Sequence, residues 1–333
     1  MKKACPSCGA SGEGFEPHLD AISGQRYEIL RCSGCDLVFA EPFRFPGQDW
    51  YERFNYVDGY GEFGGSGGDQ RARLLLSRLP IRSGTLLDVG CAAGMLLDYA
   101  ASRGFQVEGL EVDRRFLELA RSRAKGPVHE GVLDESFARK HEGRFDAVAL
   151  LDVLEHLDDL GASVGRVRRL LKGGGYFLIS VPDNRRPTVF GRDLWDYPPH
   201  HLSRWTPKAL RTFLEREGFE VVDLRSGGLP TWEFSRVWAD RSAAFLLRSL
   251  KKLLFGRGSA GTPMSDLIGG ERESSLAAAR LLPAKSLRLR LVSLYHRLFH
   301  AATFPFFFSM KLYYQMTIPG VGVNLLAVGR KKG

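Results

Sequence analysis

Four of the five cysteines stand as two CxxC pairs, Cys5 with Cys8 and Cys32 with Cys35, separated by 23 residues. Thiolates at that spacing suit a tetrahedral Zn²⁺, and four of them leave no open coordination position, so a metal held there is structural. Cys5-Pro-Ser-Cys8-Gly9 and Cys32-Ser-Gly-Cys35 put small or turn-forming residues where the backbone must wrap an ion. A second constellation is Leu86-Leu87-Asp88-Val89-Gly90-Cys91-Ala92-Ala93-Gly94, with Glu111 lying 21 positions after Gly90. A strand ending in a glycine turn, a helix, a second strand and an acid is the layout of a nucleoside-binding βαβ unit. The glycines let the backbone approach a ligand, and the acid accepts ribose hydroxyls. The third glycine of GxGxxG is missing, since Met95-Leu96-Leu97 follows Gly94, so no pyrophosphate cradle is expected.

These groups need a scaffold. From 69 to 226, strand-like and helix-like segments alternate, which argues for a parallel, doubly wound α/β sheet. Strands are expected at 85–89, 106–110, 128–133, 145–151, 176–181 and 219–224, with a last one at 324–329. Helices are expected at 116–123, 160–171 and 207–217, the second stopped by the Gly173-Gly174-Gly175 turn. The organisation reads as a zinc ribbon (1–46), a glycine-rich aromatic linker or lid (47–68), a core (69–226), a basic helical insertion (227–322) and a last core strand with a basic tail (323–333). In the lid reading, Trp50, Tyr51, Tyr56 and Tyr60 close over a ligand on glycine hinges.

With 44% hydrophobic and 26% charged residues, the chain has the composition of a soluble protein with a sizeable core. The first 30 residues lack the apolar stretch of a secretion signal, so a cytoplasmic chain is the expectation, with disulfides disfavoured. The net charge of +9 is local: residues 241–316 hold 12 Lys/Arg and 3 Asp/Glu, a balance of +9 by themselves. Leu246, Leu247, Leu250, Leu253 and Leu254, and then Leu287, Leu291, Leu294, Tyr295 and Leu298, recur at helical spacing among Lys and Arg, ahead of Phe304-Pro305-Phe306-Phe307-Phe308. No apolar run reaches spanning length, so 241–316 reads either as a peripheral membrane contact at the inner face of the membrane or as a helical cap or dimer face.

Four blocks, in order, resemble the class I S-adenosylmethionine-dependent methyltransferases. Asp88 to Gly94 with Glu111 is similar to motif I and its ribose-binding acid; Asp146 to Leu157 is similar to the fourth strand and its Glu-His turn. Leu170 to Gly175 with the strand ending at Val181-Pro182 is similar to the fifth, and His201-Leu202-Ser203-Arg204-Trp205-Thr206-Pro207 to the block before the sixth. The resemblance covers Leu86 to Leu224 and implies a Rossmann-like, seven-stranded α/β sheet carrying an N-terminal zinc ribbon and a helical insertion before the last strand. A ribbon of this kind occurs in a branch (methyltransferase type 23-like) related to sugar and surface-polysaccharide methyltransferases.

The resemblance implies S-adenosylmethionine as methyl donor. Asp88, Gly90, Ala92 and Gly94 would shape its pocket, Glu111 would take the ribose, Val132 and Leu133 with Asp134 the adenine, and Leu151 and Asp152 would face the methionine part. Three histidines compete as base: His156 in the Glu155-His156 turn, and His200 and His201 after Tyr197-Pro198-Pro199. His201 is the better candidate, with Trp205 in the acceptor wall. The sugar C-methyltransferase block reads EHLSYF, whereas here His200 replaces the glutamate and Arg204-Trp205 replaces Tyr-Phe. Cys91 is read as packing. The leading expectation for the acceptor is a small or lipid-linked molecule, foremost a sugar or glycan intermediate of the cell envelope. The alternatives are a quinone-type aromatic hydroxyl, a nucleic acid, or no reaction in a binding protein. The absence of an Asn/Asp-Pro-Pro-Tyr/Phe signature at Leu151-Asp152-Val153-Leu154 argues against a nucleic acid.

Overall fold

The computed structural model describes residues 3–20, 23–47, 50, 70–186, 196–228, 285–318 and 320–333. The lid aromatics Tyr51, Tyr56 and Tyr60 and the first amphipathic piece, Leu246 to Leu254, lie outside the described residues.

Seven strands form the main sheet: β5 (Gly84–Val89), β6 (Phe105–Glu111), β7 (Val128–Glu130), β8 (Phe145–Leu151), β9 (Leu171–Pro182), β11 (Phe219–Ser226) and β12 (Asn324–Lys331). Their order is β11-β12-β9-β8-β5-β6-β7. The run from β9 to β7 is parallel, and β12 pairs antiparallel with β9 and β11. Chain order reverses between β5 and β8, and in open sheets of this kind the crevice outside the carboxyl ends at that point is where ligands bind.

Buried apolar residues explain the strands. Leu86, Leu87, Ala147 to Leu150 and Phe177 to Ile179 are all fully buried, as expected of a sheet covered on both faces. The helices between strands are α1 (Met95–Ser102), α2 (Arg114–Arg123), α3 (Glu135–Lys140), α4 (Leu160–Leu170) and α5 (Pro207–Arg216). Side chains of Asp113, Asp134, Asp159 and Thr206 accept from the first-turn amides of α2, α3, α4 and α5. Two expectations change here. The glycines 173–175 lie inside β9 rather than in a turn ahead of it, because α4 already ends at Leu170 and the ladder with β8 is interrupted there by a register shift. The third strand stops at Glu130, which leaves Val132 and Leu133 in a loop.

The N-terminal sheet is β1 (Lys3–Ala4), β2 (Ser11–Leu19), β3 (Arg26–Cys32) and β4 (Val38–Glu41), completed by β10 (Ser203–Arg204) from the core. Cys5, Cys32, Cys35, Leu37 and Phe39 share one apolar cluster with Trp205, Leu210 and Phe213, so the ribbon is built into the core rather than set apart from it. Beyond β11, α6 (Lys285–Thr317) is a single helix that continues through Pro305.

Candidate active site and thiol cluster

Acids gather at the carboxyl ends of β5, β6 and β8. Asp88 near the end of β5 is 3% exposed, and its Oδ1 has no hydrogen-bond partner among the described residues. Burial, with Glu111 nearby, holds its carboxyl well above the usual range. Glu111 closes β6 and ties the glycine turn together: its Oε2 accepts from the Ala92 amide at 2.8 Å, while Oε1 accepts from Val112 at 2.9 Å and Asp113 at 2.8 Å. Burial raises its pKa against those amides. Gly90 and Gly94 have φ of 71° and 78°, and Ala92 accepts 43° between them. A Cβ on Gly90 would meet Val153 at 2.7 Å and one on Gly94 would meet Ala120 at 3.2 Å, so both glycines also answer to the protein's own packing. Cys91 is buried, and burial pushes its thiol up, as fits a packing residue.

Asp152 follows β8 at φ 55°, an unusual conformation for a non-glycine residue. Its Oδ1 accepts from Ser180 Oγ at 2.6 Å and from Asn324 Nδ2 at 3.0 Å, and its Oδ2 meets Arg71 at 2.7 Å. These three partners could not be found from motif spacing, since Asn324 lies 172 residues away. Leu151 is half-buried in the apolar cluster of the sheet, Val132 is 59% exposed, and Leu133 packs on the core. Asp134, which the resemblance assigned to adenine, caps α3 by accepting from the Phe137 amide at 2.7 Å.

The three histidines come together. The His156 ring lies 4.5 Å from that of His200 and 4.9 Å from that of His201, and the rings of His200 and His201 stack at 4.6 Å. His156 Nδ1 meets the His200 carbonyl at 2.7 Å, which fixes that nitrogen as the donor. Burial, with His201 second, pushes the His156 pKa down to about 3, too low for an effective base near neutrality. His201 sits between two carboxylates, with Nδ1 3.6 Å from Asp196 and Nε2 4.0 Å from Glu155. Glu155 is fully buried with neither oxygen hydrogen-bonded among the described residues, and burial, then Asp152, holds its pKa well above the usual range. The indole of Trp50, from the lid segment, lies 6.2 Å from the His200 ring.

Backbone pairing sets this loop. The Leu202 amide donates to the Glu155 carbonyl, the Ala40 amide donates to Leu202, and Ser203-Arg204 pairs with Phe39-Val38 of β4. Arg204 reaches Glu16 of β2 at 2.8 Å, and His18 stacks on Tyr197 at 4.5 Å. Trp205 cannot line an acceptor pocket: it is fully buried against Phe213, with Nε1 donating to Ser203 Oγ at 3.0 Å.

In the ribbon, the sulfurs of Cys5, Cys8, Cys32 and Cys35 all lie within 4.8 Å of one another, and all four are free thiols. The amides of Gly34 and Cys35 both point at Cys32 Sγ at 3.4 Å.

The strand order, the switch point and the acid-lined glycine turn define a seven-stranded α/β protein with buried acids at the carboxyl ends of its central strands. A family model described as "Methyltransferase domain" matches residues 67–224. A ubiquinone biosynthesis O-methyltransferase of Pseudomonas paraeruginosa is 31% identical over 46% of this chain and 72% of its own length. Its counterpart from Thiobacillus denitrificans is 34% identical over 33% of this chain and 50% of its own length. The chain thus belongs to the methyltransferase-domain family. It spans half or less of the first two curated relatives, 50% and 44% of their lengths. A S-adenosylmethionine-dependent methyltransferase from Archaeoglobus fulgidus superposes with a TM-score of 0.49 at 15% identity, covering 83% of this chain and 100% of that one.

Proposed function

We propose that the protein transfers the methyl group of S-adenosylmethionine to a hydroxyl of an aromatic, quinone-type acceptor, and that the four ribbon thiolates hold a structural Zn²⁺. The observation that carries the reaction is the set of buried acids around the glycine turn. Asp88 with an unpartnered oxygen and Glu111 beside Ala92 are the groups a cationic, ribose-bearing donor would satisfy. The names of the relatives support a quinone-type hydroxyl over the sugar or glycan acceptor that the ribbon resemblance favoured.

When bound, S-adenosylmethionine supplies a methyl group on a sulfonium, already a good electrophile, so the protein's work is chiefly positioning. Glu111 would hold the ribose while bracing the glycine turn through the Ala92 amide, and Asp88 would supply a second acid for the donor. The His201 ring takes the acceptor's hydroxyl proton, with Asp196, itself paired with Arg186, beside Nδ1 to stabilise the charge the ring gains. Glu155 and the Leu202 amide bond hold that ring in place. Zinc fits the ribbon because four thiols converge there and amides already point at one sulfur.

The test incubates the full chain with methyl-labelled S-adenosylmethionine and either catechol-type quinol precursors or nucleotide sugars. Label is expected on a phenolic oxygen; label on the sugars alone would overturn the acceptor assignment. His201→Ala should lower turnover by roughly 10²- to 10⁴-fold while calorimetric affinity for the donor stays within about twofold.

A further inference from the structure

Helix α6 is apolar around most of its circumference, and only the part centred on Phe307 is covered. Phe307, 1% exposed, packs with Val321, with Phe299, Met310 and Tyr314 joining that face. Leu294, Leu298, Phe308, Leu312 and Met316 fall on the other side, within an arc of about 80° at 3.6 residues per turn. They are 39% to 75% exposed. A helix with this much apolar surface ordinarily has that surface covered.

We propose that this face is an anchor that lies in the surface of an anionic bilayer. The charge pattern selects the occupant. From Lys285 to Thr317 there are five Lys/Arg, at 285, 288, 290, 297 and 311, and no Asp or Glu. A second copy docked through the same face would set cation against cation, whereas anionic headgroups complement it. Among the described residues no helix is long and apolar enough to cross a membrane, which suits a helix lying in the interface.

The anchor is joined closely to the active site. The chain leaving α6 enters β12 at Asn324, which donates to Asp152 at 3.0 Å, and Arg185 donates to the Gly320 carbonyl at 3.3 Å. Helix contact with lipid thus sets the β8 end of the sheet near the bilayer surface. If the proposed aromatic acceptor is the substrate, which is the one point resting on that reading, it enters from the lipid.

Flotation of the full chain with phosphatidylcholine vesicles, with and without phosphatidylglycerol, tests the anchor without donor or acceptor. Binding should require the anionic lipid and weaken with salt. Arg297→Gln with Lys311→Gln should weaken it about thirtyfold, the loss expected for two cations at an anionic surface. Leu298→Glu with Leu312→Glu should reduce it at least about tenfold. Calorimetric binding of S-adenosylmethionine by both variants certifies their fold. The anchor is overturned if wild type fails to float with anionic vesicles, if neither variant weakens flotation, or if the exposed face instead forms a dimer that Leu298→Glu with Leu312→Glu dissociates. Loss of donor binding in wild type would overturn the methyl-transfer reading and leave flotation untouched.

Discussion

Glu155 is a carboxyl group with no exposed surface and, among the described residues, no hydrogen-bond partner for either side-chain oxygen, beside the histidine proposed to take the proton. Its folded-state pKa is raised, by burial first and Asp152 second, so the native protein binds more protons than the unfolded chain above the ordinary value of 4.5. Native stability therefore falls as pH rises from that value through the raised one, and the penalty is fully in place above it. Glu155→Gln removes the charge and keeps the shape. It should raise stability at alkaline pH by roughly 1 to 3 kcal/mol, a gain that shrinks toward acid pH, read as Tm against pH. The same variant should lose turnover, because His201 loses the carboxyl group that faces its Nε2 and helps orient the ring. A variant no more stable than wild type at alkaline pH would mean that the carboxylate has found compensation in the cleft. The sequence made the Glu155-His156 turn and His201 candidates through the residue types of their blocks, and the structure brings the three side chains together. It misassigned Trp205, since an indole in a loop and an indole under a helix read alike until Phe213 is seen to cover it.

At the scale of elements, the alternation of strands and helices was legible because buried parallel strands leave unbroken apolar runs, as in Phe145–Leu151 and Phe177–Val181. What could not be read was β10. Two residues carry no periodicity, and their pairing with β4 is a tertiary event. That pairing changes what the ribbon is for, since the loop bearing His200 and His201 hangs from a strand whose own sheet is closed by the thiols. Removing the proposed Zn²⁺ should therefore act on the acceptor side. With a strong chelator, the amides of Phe39 to Ala40 and of Leu202 to Arg204 should lose protection from hydrogen exchange, and turnover should fall about tenfold or more. Donor affinity should change by less than about threefold, because Glu111 and the glycine turn bond to β6 and its following loop rather than to the ribbon. Equal losses of donor binding and turnover would show that the ribbon supports the whole fold instead.

Across the whole molecule, charge is divided: the net +9 is carried by 241–316, while the cleft holds Asp88, Glu111, Asp152 and Glu155. The division suits a cationic donor at one place and an anionic surface at another. In the cleft the acids raise one another, Glu111 acting on Asp88 and Asp152 on Glu155, on top of the cost of burial. A bound sulfonium favours their ionised forms, so donor binding must expel whatever protons they hold. By linkage, affinity for S-adenosylmethionine then falls as pH drops through the raised pKa values of Asp88 and Glu111, and it levels off above them. Calorimetry near pH 6 in two buffers of different ionisation enthalpy should show net proton release, with the slope of log Kd against pH approaching about one per proton released. Glu111→Gln should flatten that slope and weaken binding about tenfold or more through loss of the charged ribose contact. An affinity independent of pH in wild type would mean that the acids stay ionised without the donor, and that the cleft stores no charge for the donor to relieve.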